Sequence, residues 1–547
     1  MQSPAAEKEA SRREWILRVV AAGLMAAGLA IVYAPCLQGP FLYDDIFEIE
    51  NNPALTQRGK PFDIMFGNTG FPHRPLPYLS FAANYRIHGL ATTGYHVTNL
   101  TIHLLNGWLL WWIGKSLLCL WRGRCHQRDL WWAFGVAILW LVHPLASQPV
   151  AYIYQRIELL GATGILLAIA CFLQSLLSQQ SAGWRVASVA AAAVAMLCKE
   201  TAAAILPLIW LIDLTRRGPV RSCRQLLLPF RERAWFFCGL AATWALGAVV
   251  ILSQRNAYRE LVDPQWSPLV YLLNQPWVIG HYLRLAVLPV GQNFDYGWVA
   301  ATDWVSLLSG AAVIGAVSMG VVWLICSRPV AGLLCGTFLL LLAPSSSLIP
   351  VNDLAVEHRM YLPLVVPVAA AVALLVAGCR RIWDRRGDRM TTVVLVGLVV
   401  ALGLTTHERV RVYRSLFTVW ADAAVKNPEN PRAQLWLGIS LCELGESEAA
   451  MPPLRRAIEL APEAAGAARA YAWLAAIHGR RGELDTSLAA AESSVRIDPE
   501  LAIGWSNLAR VLVELERLPE ARVACRRALT IDPQLGPARL LLQQLGE

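Results

Sequence analysis

Two adjacent carboxylates, Asp44 and Asp45, stand in the phrase FLYDDIFEIENNPAL just after the first apolar stretch of the chain. Acids this close, once partly desolvated, resist being ionised together, and one of them is then suited to take a proton. A solvated turn or helix cap uses the same dipeptide, so the pair alone decides nothing. Five cations shift the balance. Arg74 in PHRPLPYLSF, Arg156 in YIYQRIELLG, Lys199 in LCKETAAAILPL, and His358 with Arg359 in DLAVEHRMYLP all lie beside apolar stretches. Guanidinium groups bind phosphate oxygens two at a time and an ammonium adds a point charge, so the set suits a lipid phosphate at a bilayer surface. Glu158, Glu200 and Glu357 neighbour these cations and support them; the plainer reading makes the cations snorkelling anchors or partners of those same acids. In QNFDYGW, Asp295 and Tyr296 with Asn293 and Trp298 either line a sugar pocket or form a structural turn.

A carboxylate base opposite a phosphate site points to group transfer from a lipid-linked phosphate to a hydroxyl, with sugar transfer the natural case. The base takes the hydroxyl proton as the oxygen attacks the anomeric carbon, and the cations stabilise charge on the departing phosphate. The chain shows no Walker loop, no Rossmann glycine pattern and no HExxH motif. No metal site and no cofactor are read from it; a divalent ion held by Asp44 or Asp45 stays open.

These residues must be positioned by membrane helices. Hydrophobic residues make up 56% of the 547 and charged ones only 16%, too apolar for a soluble chain of this size. A helix needs roughly 20 apolar residues to cross the hydrocarbon core. Such stretches fall near 15–36, 97–118, 130–146, 157–177, 184–198, 200–214, 234–252, 303–326, 330–346, 359–378 and 391–407. They predict about eleven crossings. Pro268 to Pro289 is apolar yet carries Asn274, Gln275, His281 and Arg284, and is expected to be an interfacial or re-entrant helix. Arginines cluster at 122–128, 216–233 and 380–389, all on one side if the N-terminus is cytoplasmic. This positive-inside pattern accounts for the net charge of +9 without a nucleic-acid partner. It makes residues 1–14 a cytoplasmic tail and 37–95 the first external loop, and places the acid and cation clusters together outside. Asn99-Leu100-Thr101 matches a glycosylation acceptor but falls inside an expected span.

Past His407 the composition turns to alanine, leucine, glutamate and arginine, and Pro428, Pro462, Pro499 and Pro533 recur at spacings of 34, 37 and 34. A period of 34 marks tetratricopeptide repeats (TPRs), two antiparallel helices each. Residues 408–547 are therefore expected to form about three repeats behind a partial leading unit, with a groove for an extended peptide or protein. The fold class is all-α, a polytopic helical membrane domain over 15–407 followed by a short TPR solenoid.

Six phrases, FLYDDIFEIENNPAL, RPLPYLSFAANYRIHGLATTGYHVTNLTIHLLN, LVHPLASQPVAYIYQRIELLG, CKETAAAILPLIWLIDL, NQPWVIGHYLRLAVLPVGQNFDYGW and PSSSLIPVNDLAVEHRMYLP, stand in this order ahead of the repeats. Together they resemble the TMTC-type transmembrane and tetratricopeptide-repeat proteins and their bacterial relatives. The resemblance implies a membrane domain of GT-C type and a polyprenyl-phosphate-sugar donor. It also implies a catalytic carboxylate in the first external loop, with Asp44 favoured over Asp45 by analogy. Lys199, Glu200, Glu357, His358 and Arg359 fall on the family's motifs. It further implies protein O-mannosyltransferase-like, inverting transfer of mannose or another hexose. A compact, alanine- and arginine-rich chain fits the bacterial inner membrane, with the repeats in the periplasm recruiting a protein acceptor. The rival reading is a non-catalytic, membrane-anchored TPR scaffold for assembly of envelope proteins. A transporter would show polar residues at mid-membrane and symmetry among its spans, and neither is convincing here.

Overall fold

The structure, a computed structural model, describes residues 19–20, 22–56, 74–123, 127–253 and 266–546. The expected tail 1–14 and residues 57–73 of the first external loop lie outside this set. Among the described residues every regular element is a helix or helical turn. The chain divides into two compact units. One comprises Met1–Gln292 and Val299–Arg414, the other Asn293–Trp298 and Ser415–Glu547.

In the first unit, each of the eleven expected stretches carries a helix. Among the described residues five helices are long and apolar enough to cross a membrane unaided: Ile153–Leu177, Ala234–Leu252, Trp304–Ser327, Val365–Trp383 and Gly387–Arg414. Ala22–Cys36, Ser181–Met196 and Pro329–Leu342 are apolar but shorter. The expected single span over 130–146 is broken: Asp129–Leu141 and Pro144–Ala151 meet at 61°. Pro144 has no N–H to continue the ladder and disfavours helical geometry at His143, whose Nδ1 instead accepts the Leu145 N–H at 3.1 Å. This break turns the chain into the buried segment that carries Gln148, Tyr152 and Tyr154. Pro268–Val287 is a 20-residue helix with Pro276 inside it, and its buried side holds Tyr271, Asn274, Gln275, Val278, Tyr282 and Leu285.

Small residues let the central helices approach. Arg156–Leu177 packs on Ser181–Met196 and on Thr92–Arg122. A Cβ on Gly164 would stand 2.5 Å from the Ala195 Cβ and 2.8 Å from its Cα. Association without a solvent-driven hydrophobic term depends on such close backbone contact. The Thr92–Arg122, Ile205–Thr215 and Val365–Trp383 helices each finish at arginines: Arg122, Arg216 and Arg217, and Arg380 and Arg381. Their opposite ends begin beside His96, Glu200 and Met360.

The second unit stacks antiparallel pairs: Pro431–Glu443 with Ser447–Leu460, Ala465–Arg480 with Leu484–Ile497, and Ala502–Glu514 with Leu518–Ile531. Leu416–Lys426 precedes them and Gly536–Gln544 follows. Gly438 is required where it stands, since a Cβ there would meet Leu454 Cγ at 2.6 Å. The turn inside each pair uses one left-handed residue, Gly445 and Gly482 in the first two and Glu516 (φ 59°) in the third.

Candidate active site

The two adjacent acids point to different tasks. Asp45 is completely buried, and its oxygens accept the Leu42 N–H at 2.9 Å and the Tyr154 N–H at 2.6 Å. Burial drives its carboxyl well above the ordinary range, against the pull of those N–H groups. Asp44 is half-buried and remains reachable. Its own N–H donates to the Tyr152 hydroxyl at 2.9 Å, and that hydroxyl also bonds the Asp44 side chain. Tyr43, just before it, takes a left-handed φ of 41°. A bulky residue held there is strained, and the surrounding structure must over-determine the turn. Asp45 is the pin that locks the loop and Asp44 is the carboxylate that the loop presents.

Beyond the pair, Ile46–Glu50 forms a single π-turn, a wide turn that recurs at functional sites. It aims Glu48 at the Tyr78 hydroxyl, which donates to it at 2.6 Å. Burial pushes the Glu48 carboxyl up to about 7; the Tyr78 bond opposes this and the Asp44 charge adds to it. The sequence alone does not single out Glu48, although it lies in the same phrase, because its partner Tyr78 is 30 residues away.

The cations arrive from three further segments. Arg74 sits at the start of the Pro75–His88 helix, where the Leu76 N–H binds the Leu197 carbonyl at 3.3 Å. That join brings its guanidinium onto Glu200, to which Nη2 and Nε donate at 2.8 and 3.3 Å. Lys199 pairs with Glu158 across the helices that Gly161 and Gly164 allow to touch. The charges of Arg74 and Lys199 both act on the Glu200 carboxylate. His358 is anchored by its backbone N–H, which donates to the Gln148 Oε1 at 2.9 Å. Its ring Nδ1 is buried without a hydrogen-bond partner among the described residues. Burial first, then the charges of Lys199, Arg359 and Arg74, keep this imidazole neutral, well below its usual pKa.

Two expected phosphate ligands have other work. Arg156 is fully buried, and its Nε donates to Asn99 Oδ1 at 2.7 Å, Nη1 to Asn84 Oδ1 at 2.5 Å and Nη2 to the Tyr95 carbonyl at 3.1 Å. Nη1 also reaches the Ser80 carbonyl and hydroxyl at 3.3 Å, and the guanidinium lies 4.7 Å from the centre of the Phe81 ring. A phosphate has no face left to approach, so Arg156 is corrected from ligand to brace. It follows the segment whose Tyr152 and Tyr154 hold the two aspartates. Asn99, the apparent glycosylation acceptor, is buried and bound to this guanidinium. Arg359 is likewise engaged: Nη1 donates to the Tyr271 hydroxyl at 3.1 Å and the Leu354 carbonyl at 3.0 Å, and Nη2 to the Asp353 carbonyl at 2.5 Å. It contributes charge to the cluster while bracing its own loop. Glu357 is fully buried and accepts from Gln292 Nε2 at 2.8 Å, with Arg409 Nη2 at 3.9 Å.

Asp295 and Tyr296 belong to the second unit, where the turn reading is the one realised. Asp295 accepts the Gly297 N–H at 3.0 Å and pairs with Arg432, while Asn427 donates to the Tyr296 carbonyl at 2.7 Å.

The remaining groups form one continuous set within the first unit. Asp44, Glu48 and Arg74 all act electrostatically on Tyr154; Arg74 and Lys199 act on Glu200; Lys199, Arg74 and Arg359 act on His358. A half-exposed carboxylate and a group of largely paired cations therefore lie near one another in the first unit. Among the described residues no three His, Cys, Asp or Glu side chains are grouped to hold a metal ion.

Comparison with known proteins adds kinship. The tetratricopeptide-repeat family pattern matches residues 418–465 and 474–535. A protein O-mannosyl-transferase of Caenorhabditis elegans is 25% identical over 463 residues, covering 80% of this chain and 62% of its own length. The Drosophila melanogaster protein O-mannosyl-transferase Tmtc3 is 23% identical over 525 residues, covering 80% and 54%. The likeness is to the TMTC-type proteins. The chain spans only about half to three-fifths of the length of these relatives. Among solved structures, ArnT from Cupriavidus metallidurans bound to undecaprenyl phosphate aligns with 89% of this chain and 80% of that one. Its TM-score of 0.36 at 15% identity is too loose a likeness to carry weight.

Proposed function

We propose that this chain is an integral membrane glycosyltransferase of GT-C type that moves a hexose from a polyprenyl-phosphate donor to a protein hydroxyl. The observation that carries the reading is the juxtaposition of half-exposed Asp44 with Arg74, Lys199 and His358 in one unit. Kinship with named O-mannosyl-transferases supports it.

In the reaction, Asp44 takes the proton of the acceptor hydroxyl while its oxygen forms a bond to the anomeric carbon. The bond from that carbon to the phosphate oxygen breaks, and the electron pair leaves with the polyprenyl phosphate. Attack from the side opposite the phosphate inverts the anomeric centre. Charge growing on the phosphate is met by the Arg74 guanidinium and the Lys199 ammonium in a site of low dielectric. Neutral His358 supplies a ring N–H to the same oxygens. Glu48 lies close enough to influence Asp44 and takes no part in bond making.

Two helices run from the cluster, after Glu200 and after His358–Arg359, to arginine-rich ends, which supports a site on the external face with the arginines cytoplasmic. We propose about eleven crossings, a cytoplasmic N-terminus, a bacterial inner membrane and a periplasmic repeat unit that recruits the acceptor. Mass spectrometry of envelope proteins from a deletion strain beside its parent tests this. The expected result is a hexose-sized mass missing from at least one protein. Unaltered glycans with a mislocalised client would favour the scaffold instead.

A further inference from the structure

The cations of the site are not idle in the form seen here. Arg74 holds Glu200 in a two-point contact, and Lys199 holds Glu158. A carboxylate facing a guanidinium through two oxygens reproduces the geometry with which a phosphate would face it. The two pairs differ in depth. The Lys199 and Glu158 side chains are 9% and 11% exposed, whereas Glu200 is 35% exposed over an Arg74 that is 15% exposed. Glu200 is thus the more exposed member of its pair. Near the pair, the buried Nδ1 of His358 has no partner among the described residues, an independent sign that a polar group belongs there.

We propose that Glu200 is a placeholder for the donor phosphate, occupying Arg74 while the site is empty and displaced from it when the donor binds. The inference rests on the function proposed above and adds to it a residue that sets donor affinity. A buried or half-buried guanidinium left without a counter-ion is destabilising, so an internal carboxylate keeps Arg74 in place between turnovers. Paired with Arg74 through both oxygens, Glu200 is exchanged as one anion for another. The buried Glu158 stays on Lys199, whose ammonium keeps further N–H donors for the second phosphate oxygen. His358 then gains the partner that its ring lacks.

The competition has a measurable consequence, because a ligand's apparent affinity falls by the fraction of molecules in which its site is open. The test is the affinity of the purified full-length chain in lipid nanodiscs for undecaprenyl phosphate, compared among the unmodified protein, Glu200→Gln and Arg74→Gln. Glu200→Gln is expected to bind about tenfold more tightly, since the amide pairs only weakly with Arg74. Arg74→Gln is expected to bind at least about tenfold more weakly. Glu200→Asp, which keeps the charge but shortens the reach, should fall between the unmodified chain and Glu200→Gln. It supplies the reading if the amide variant does not fold. A purely structural Glu200 would make both substitutions weaken binding, and that result, or no change, overturns the placeholder. Failure of the unmodified chain to bind the lipid phosphate at all would instead overturn the proposed donor, and the placeholder with it.

Discussion

At the scale of single residues, chemistry is divided between neighbours that the sequence presents as equals. Asp44 and Asp45 differ in neither type nor local pattern, yet the Leu42 and Tyr154 N–H groups claim the second and leave the first facing out. The acid pair and the lysine, histidine and arginine phrases were legible because their types and order stand out against an apolar background. The fate of Arg156 was not. Its partners lie 57 to 76 residues away in the chain, and no local pattern tells a guanidinium whose donors are spent on Asn99, Asn84 and Ser80 from one left free. Glu48 was illegible for the same reason, as Tyr78 lies 30 residues away. Its raised carboxyl makes a pH prediction. Because the folded form favours the protonated acid, Glu48 contributes stability that is complete below its unfolded value near 4.5 and is lost as pH rises through about 7. Glu48→Gln removes that dependence. Thermal unfolding of the two proteins between these limits should diverge by at most about 3 kcal/mol, with the glutamine variant flatter. Parallel curves would show that Glu48 is not held as described.

At the scale of elements, position comes from close contact and from breaks. Hydropathy located the helices because length and apolarity are what a bilayer demands. It gave no warning that Asp129–Leu141 and Pro144–Ala151 would bend apart, since the apolar run continues through His143 and Pro144. Lys199 depends on such local detail. The Lys199 N–H donates to the Ala195 carbonyl at 2.9 Å, and Ala195 is the residue that Gly164 allows to approach. Gly164→Ala places a methyl carbon against the Ala195 backbone, and one helix must shift. The expected outcome is a loss of about 1–3 kcal/mol in stability. Weaker undecaprenyl phosphate binding should accompany it, because Lys199 moves with Ala195. Unfolding in mild detergent and the nanodisc binding assay measure the two effects. A variant as stable as the parent would mean that the helices can separate there without strain.

At the scale of the whole molecule, the two units correspond to two demands of the proposed reaction. The first brings the proposed base and cations together; the second stacks repeats of a kind that hold extended chains. The repeat period was legible from proline spacing, while the membership of Asn293–Trp298 in the repeat unit was not, because it rests on Asp295 meeting Arg432 across 137 residues. The account as a whole stands on Asp44 as the proton acceptor. The most direct test is transfer of labelled hexose from a polyprenyl-phosphate donor to envelope protein by the purified full-length chain and its Asp44→Asn variant, alongside undecaprenyl phosphate binding by both. The account predicts that transfer falls by about a hundredfold or more in the variant while phosphate binding and folding persist. Transfer at the parent rate by a folded Asp44→Asn protein would contradict it.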